Sequence, residues 1–226
     1  MSPSPGPGPS PAPDADPADA RGRAAAALRD LAHAFVGHEV DDGALDELAR
    51  WAGDRAGSIR GGPPRARPDD ALLREVVVPE TPGHGERIVH FADCPVSGHD
   101  NPLALPAVAW REGDEAVVRA TLGRAHEGAP GRAHGGVVAA LFDDAFGYLT
   151  GLGGEPTYGG RLEVSYHHPT PLGQPLEVRC HFTERGGRRR HATGTLSHRG
   201  RVLVRADAVL VTVPAESVRR ATYDEA

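Results

Sequence analysis

Residues 127–151, EGAPGRAHGGVVAALFDDAFGYLTG, constrain the fold of this chain more than any other stretch. Glycine and proline break the backbone as far as Gly131, and from about His134 a run of strong helix formers takes over. Ala139, Ala140, Leu141 and Phe142 have a helical composition, and Gly151, followed by Gly153 and Gly154, supplies a stop. Gly135 and Gly136 fall in the first helical turn, where amides have no intrahelical partner and the dipole is positive. Without side chains there, a ligand oxygen can approach those amides closely. Asp143 follows seven residues after Gly136, within about 20° of the same azimuth. That face reads Gly136, Ala140, Asp143, Gly147, whereas the stripe expected to pack is Val138, Leu141, Ala145 and Leu149. A bare helix start and a lone carboxylate on a small-residue face have the makings of a site.

The flanks of this helix alternate as strands do. Upstream, Glu75–Val78 and Glu86–Phe91 are short strand candidates, and Ala107–Arg111 and Glu115–Leu122 read as a hairpin around the turn Glu112–Asp114. Downstream come four segments rich in β-branched residues: Gly160–His167, Leu176–Glu184, His191–His198 and Arg201–Val213. Their spacing fits antiparallel hairpins. One long helix on a mainly antiparallel sheet is an α+β layer arrangement. A curved sheet around a single helix leaves surface uncovered, so pairing with a second copy is expected.

Before this unit, residues 1–20 form a proline-rich stretch without a large apolar side chain, expected to be a disordered tail. Residues 21–56 read as a helical extension: Leu28, Leu31 and Phe35 recur at helical spacing, and Asp41 and Asp42 can cap a second helix carrying Leu45, Leu48 and Trp51. This hairpin is expected to pack on the main domain or on a second subunit. Residues 57–71 are a linker, 72–213 the main domain and 214–226 a frayed tail.

Bulk properties exclude several classes. A formal charge of −6 gives no reason to expect a nucleic-acid partner. No apolar run approaches the length of a membrane span and no signal peptide is visible, so a cytoplasmic protein without a membrane partner is expected. The two cysteines, Cys94 and Cys180, cannot make a disulfide framework, lack zinc-site spacing and read as small buried hydrophobes. His167 and His168 are adjacent on a strand and point to opposite faces. No metal and no cofactor are expected.

The string G-x-x-HGG followed by Asp, here Gly131, His134, Gly135, Gly136 and Asp143, resembles the hotdog-fold acyl-CoA thioesterases and looks closest to their PaaI-like branch. The upstream CPVSGHDNPLAL is similar to the C-x-x-C-G-x-x-N-P-x-G-L segment of many relatives, with Ser97 where a second cysteine is common and Ala104 where glycine is common. The resemblance spans roughly residues 92–213. It implies a hotdog fold, a curved antiparallel sheet wrapped around one long helix, here with an N-terminal helical extension. It also implies homodimers or dimers of dimers (homotetramers) with active sites at subunit interfaces, and acyl-CoA or acyl-carrier-protein thioesters as substrates.

Residue by residue, the resemblance puts Gly135 and Gly136 where relatives bind the thioester carbonyl, Asp143 at the catalytic carboxylate and His134 at the motif histidine. Gly159 and Gly160 stand about where relatives carry a serine or threonine that positions water, and Gly160 is counted as substrate-binding. Thioester hydrolysis needs an oxyanion stabiliser and an activated nucleophile. Asp143 would attack the carbonyl or serve as general base on water. Asp144, about 100° round the helix, reads as hydrogen-bonded structure, since a buried carboxylate requires a partner. His134 is either a base or, preferably, a hydrogen-bonding anchor. In the turn ERGGRRRH, Arg188 and Arg190 can meet the phosphates of coenzyme A. The alternative function is a hotdog protein that binds acyl thioesters without hydrolysing them.

Overall fold

The structure is a computed structural model describing residues 19–77 and 80–218. Most of the proline-rich stretch at 1–20 therefore lies outside the described residues. Its end, Asp19, caps α1 (Ala20–Gly37) by accepting a hydrogen bond from the Gly22 amide at 2.6 Å. After a short break Asp41 caps α2 (Asp42–Arg60) in the same way, accepting from the Ala44 amide at 3.0 Å. The second helix thus runs four residues into the stretch expected to be linker. α1 is pinned to the main unit: Arg29 donates to the carbonyls of His99 and Asn101, and His33 Nδ1 accepts from the Ala125 amide. α2 buries none of its residues, and Leu28, Leu31, Phe35 and Trp51 of the hairpin are exposed in the single chain.

Leu72–Val76 is a wide helical turn where a strand was expected from Glu75. A Pro-Asp-Asp start followed by good helix formers winds the backbone, and the Val77 amide closes onto the Leu72 carbonyl at 2.9 Å; Val78 lies outside the described residues. The 86–91 segment makes one isolated bridge, Arg87 to Trp110, and does not extend into a strand.

The remaining strands are β1 (Ala107–Glu112), β2 (Glu115–Thr121), β3 (Thr157–Tyr166), β4 (Pro175–Glu184), β5 (Arg189–His198) and β6 (Arg201–Thr212). They form a six-stranded antiparallel sheet in the order β1-β2-β4-β5-β6-β3. The long helix, α3 (Gly135–Gly153), packs across this sheet in the hotdog arrangement. Its buried stripe contains Val138, Leu141, Ala145 and Leu149 as expected, together with Phe142 and Phe146. These meet Val118, Leu176, Val178, Leu196, Val204 and Ala206 from the inner face of the sheet.

α3 does not stop at Gly151. It ends at Gly154, whose φ of 66° is the left-handed conformation that only glycine adopts without strain. Gly151 has another reason to be bare: a Cβ there would sit 3.2 Å from the Val76 carbonyl oxygen of the wide turn. The stretch from Pro214 is not frayed at its start, since Ala215–Ser217 winds into a 3-10 turn and Val218 is buried. Among the described residues no helix is long and apolar enough to cross a membrane.

Candidate active site

The loop before α3 is held by its own polar groups. The His134 amide donates to the His126 carbonyl at 2.8 Å, and Ala133 donates to Thr170. Glu127 Oε1 accepts from the Gly131 amide at 2.6 Å. His134 is the N-cap of α3, its Nδ1 accepting from the Gly136 amide at 2.9 Å. That geometry fits an anchor. Of the expected pair of oxyanion donors, the Gly136 N–H is engaged in this contact. The Gly135 amide, by contrast, donates to none of the described residues. Tyr166, at the end of β3, donates its hydroxyl to the Gly135 carbonyl at 2.8 Å and so stands over the helix start. No feature of the sequence singled out Tyr166, since only the docking of β3 beside α3 brings it there.

Asp143 lies on the exposed side of α3 beside the open edge of the sheet. Between Gly159 and Arg161 the register of β3 against β6 slips by one residue, a bulge with Gly160 as the extra residue. A Cβ on Gly159 would approach Asp143 Oδ1 to 3.6 Å, and one on Gly160 would strike Val211 at 2.9 Å. The bulge thus lays bare backbone next to the carboxylate. Together with Phe146, Arg161, Leu162, Ala208 and Leu210, these residues line a cavity of about 220 Å³. Partial burial, and then the neighbouring charge of Asp144, push the Asp143 carboxyl above its ordinary pKa; His90 opposes the shift. A carboxylate so destabilised is a stronger base. Gly136 and Asp143 do share an azimuth, but seven residues of helix separate them by about 10 Å along the axis. Within one chain they line different places.

Asp144, about 100° further round the helix, faces into the protein and is 5% exposed. It takes the thiol of Cys94 as a donor at 3.1 Å and lies 3.1 Å from His90 Nδ1. The His90 ring is close enough for ion pairing, yet its N–H is not aimed for a hydrogen bond. Burial disfavours the imidazolium, but Asp144 and Cys94 more than reverse this and raise its pKa to about 9. For Asp144, burial opposes ionisation, while His90, then Ser97 and Cys94, hold the carboxyl below its ordinary range. The structural reading of Asp144 agrees with this environment. Its partner His90 escaped notice because 54 residues separate the two in sequence. Cys94 is buried as expected but acts as a polar partner; Cys180, also buried, donates to the Ala145 carbonyl at 3.1 Å.

The arginines of the β4–β5 turn divide. Arg188 is exposed. Arg190, also expected to meet a phosphate, is 8% exposed, pairs with Glu155 and lies over the Phe182 ring. Its position at the start of β5 turns it inward against Gly153, an outcome of strand register rather than of the local sequence.

Residues 130–205 match the family model of the thioesterase superfamily. No curated protein matches the sequence. Among solved structures, a thioesterase superfamily protein is similar at a TM-score of 0.70 and 26% identity, covering 85% of this chain and 95% of its own. That coverage is too extensive to leave out the whole N-terminal hairpin. More distant likenesses include the Escherichia coli PaaI protein of the phenylacetic acid degradation operon (15% identity, TM-score 0.45, 49% of this chain and 81% of that one). A hypothetical thioesterase of Streptococcus pneumoniae, solved with coenzyme A, is similar to the same degree (17% identity, TM-score 0.45, 51% and 91%).

Proposed function

We propose, for a chain whose residues 130–205 match the thioesterase-superfamily model, that it hydrolyses acyl-CoA or acyl-carrier thioesters at sites shared by two copies of the chain. One observation carries this reading: an unengaged helix-start amide at Gly135 and a raised carboxyl at Asp143 beside a glycine-lined cavity. Oxyanion donors work at about 2.7–3.1 Å and a base acts through one water, so an amide and a carboxylate about 12 Å apart along one helix cannot serve a single carbonyl. Two α3 helices running antiparallel about a two-fold axis near Ala139 would set Gly135 of each opposite Asp143 of the other. Ala139 and Ala140 are small enough to permit that crossing. β3, an edge strand with largely exposed side chains, offers open backbone for the same pairing.

In such a site the thioester oxygen accepts from the Gly135 amide at the positive end of α3. Asp143 of the second copy takes a proton from water as the water oxygen bonds to the carbonyl carbon. Collapse breaks the C–S bond, and the thiolate leaves readily before taking up a proton. The bulge at Gly160 supplies the room that water needs next to the carboxylate, without the serine or threonine common in relatives. The exposed Arg188 is available for a coenzyme A phosphate. His134 holds the loop and keeps the Gly136 amide in place.

A panel of acyl-CoAs assayed with a thiol dye tests the reading. Asp143→Ala is expected to lose about a hundredfold or more, the scale of general-base removal. Full activity in that variant would sink the assignment of Asp143. Saturable acyl-CoA binding without turnover in the unaltered protein would replace hydrolysis with the binding-protein alternative.

A further inference from the structure

We propose that His90, Cys94 and Asp144 form a binding site for a single zinc-type divalent cation, approached from the cavity beneath α1 on the His90 side. The three side chains each offer one ligand atom, and those atoms all lie within 4.8 Å of one another. Two of the three separations are 3.1 Å, so a modest outward adjustment would reach the spacing of a tetrahedral shell with bonds of about 2.0–2.3 Å. Nitrogen, thiolate sulfur and carboxylate oxygen together select a borderline cation such as zinc over calcium or magnesium.

Asp144 Oδ2 is buried without a hydrogen-bond partner, and His90 Nδ1, though 3.1 Å from Asp144 Oδ1, is not aimed for a hydrogen bond to it. An unsatisfied carboxylate oxygen at such depth is costly and calls for an explanation. A bound cation would satisfy Nδ1 directly and draw in one or both carboxylate oxygens. Charge also balances: a thiolate, a carboxylate and a neutral imidazole neutralise a divalent ion in a site where net charge is expensive. Binding would displace the Cys94 thiol proton and any proton on His90 to solvent.

The surroundings are built rather than incidental. Cys94 sits on a tight turn in which the Gly98 amide returns to the Cys94 carbonyl at 3.0 Å. A Cβ at Gly98 would lie 2.3–2.7 Å from backbone atoms of Ala92 and Cys94, so only glycine fits. The Val96 amide donates to Cys94 Sγ at 3.4 Å and helps to fix the sulfur in place. Tyr148 donates to Ser97 Oγ at 2.9 Å beside Asp144. An entry path exists as well. His90, Ser97 and Tyr148 line a cavity of about 300 Å³ closed on one side by Gly22, Ala26 and Arg29 of α1, which brings one of the three ligands to its wall. The sequence gives no hint of the site, since Asp144 comes from α3 and the other two ligands from a loop far upstream.

Full-length protein stripped with EDTA, then titrated with cobalt(II) and separately with zinc against a chromophoric chelator, tests the proposal. The expected result is one equivalent bound, with a thiolate-to-cobalt charge-transfer band. Cys94→Ser should abolish the band, while Cys180→Ser, altering the only other cysteine, should keep it. His90→Gln and Asp144→Asn should each weaken zinc binding by more than tenfold, since losing even a ligand's hydrogen-bond partner costs about 10–100-fold. Asp144→Asn could unfold the protein, so the decisive measurement is the cobalt spectrum of Cys94→Ser, with its folding checked by circular dichroism. Failure of the unaltered protein to bind either ion, or a charge-transfer band that survives in Cys94→Ser, would overturn the site. None of these readouts depends on thioester hydrolysis.

Discussion

Asp143 and Asp144 are adjacent in sequence and chemically identical, yet the helix sends them to opposite environments. Asp144 is buried against His90 and Cys94 and is held ionised, whereas Asp143 faces the glycine bulge and is pushed toward its neutral form. If Asp143 is the base, it works only when ionised. The acid limb of kcat/KM should therefore rise with pH through a midpoint above the ordinary carboxylate value of about 3.9. Asp143→Asn should flatten that limb. The same shift makes a stability prediction. With its folded pKa above its unfolded one, the native state binds the extra proton, so stability falls as pH rises through the window. Asp143→Asn should then be more stable than the parent near neutral pH while losing activity. A melting temperature that drops in this variant would contradict the direction of the shift.

Among the elements, α1 is attached to the main unit largely by polar contacts near the surface. It meets the loop before α3 through two histidines: His33 Nδ1 accepts from the Ala125 amide, His126 Nδ1 accepts from the Gly123 amide, and the rings pack edge to face at 4.7 Å. Both contacts need unprotonated nitrogens. Burial, with the neighbouring His33, lowers the His126 pKa to about 4. Its contribution is therefore fully present above the unfolded value of about 6.5 and is lost as pH falls through about 4. Hydrogen exchange in residues 20–37 should accelerate over that interval while α3 stays protected; unchanged exchange down to pH 4 would remove the histidines as the attachment. At the other end of α3, Gly154→Ala places a Cβ on a left-handed residue. It should cost about 1 kcal/mol, read by urea titration.

For the whole molecule, the decisive length is the distance along α3. Gly135 and Asp143 lie about 12 Å apart on the same helix, which is why the proposed reaction requires two chains. Co-expression supplies a direct measurement. Asp143→Ala disables the carboxylate, and Gly135→Val adds bulk against Tyr166, whose ring a Cβ already approaches to 3.4 Å. Each variant alone should be nearly inactive. Mixed dimers retain one intact site, so random assembly should restore about a quarter of the parental activity, the expectation for a two-fold dimer. No recovery, despite mixed dimers isolated by two tags, would mean that each chain carries its own site.

Much of the architecture could be read before folding was considered. Alternating β-branched segments, turn residues and one uninterrupted helical run specify the six strands and α3, because period and turn chemistry are local properties. The HGG start, the cap at His134 and the exposed placement of Asp143 follow from the same local rules. Other outcomes depended on packing. Glycines read alike in sequence, but Gly151 makes room for the Val76 carbonyl while Gly154 ends the helix. Arg188 stays exposed in the turn before β5, whereas Arg190 is inside the strand and buried. Tyr166 over Gly135, and His90 beside Asp144, join residues 31 and 54 positions apart. By itself the sequence determined the helix start and its carboxylate; only the tertiary structure decided which amide stays open, which aspartate is buried and which histidine stands beside it. Spacing along a chain governs contacts within one element, whereas contacts between elements are set by sheet register and helix docking.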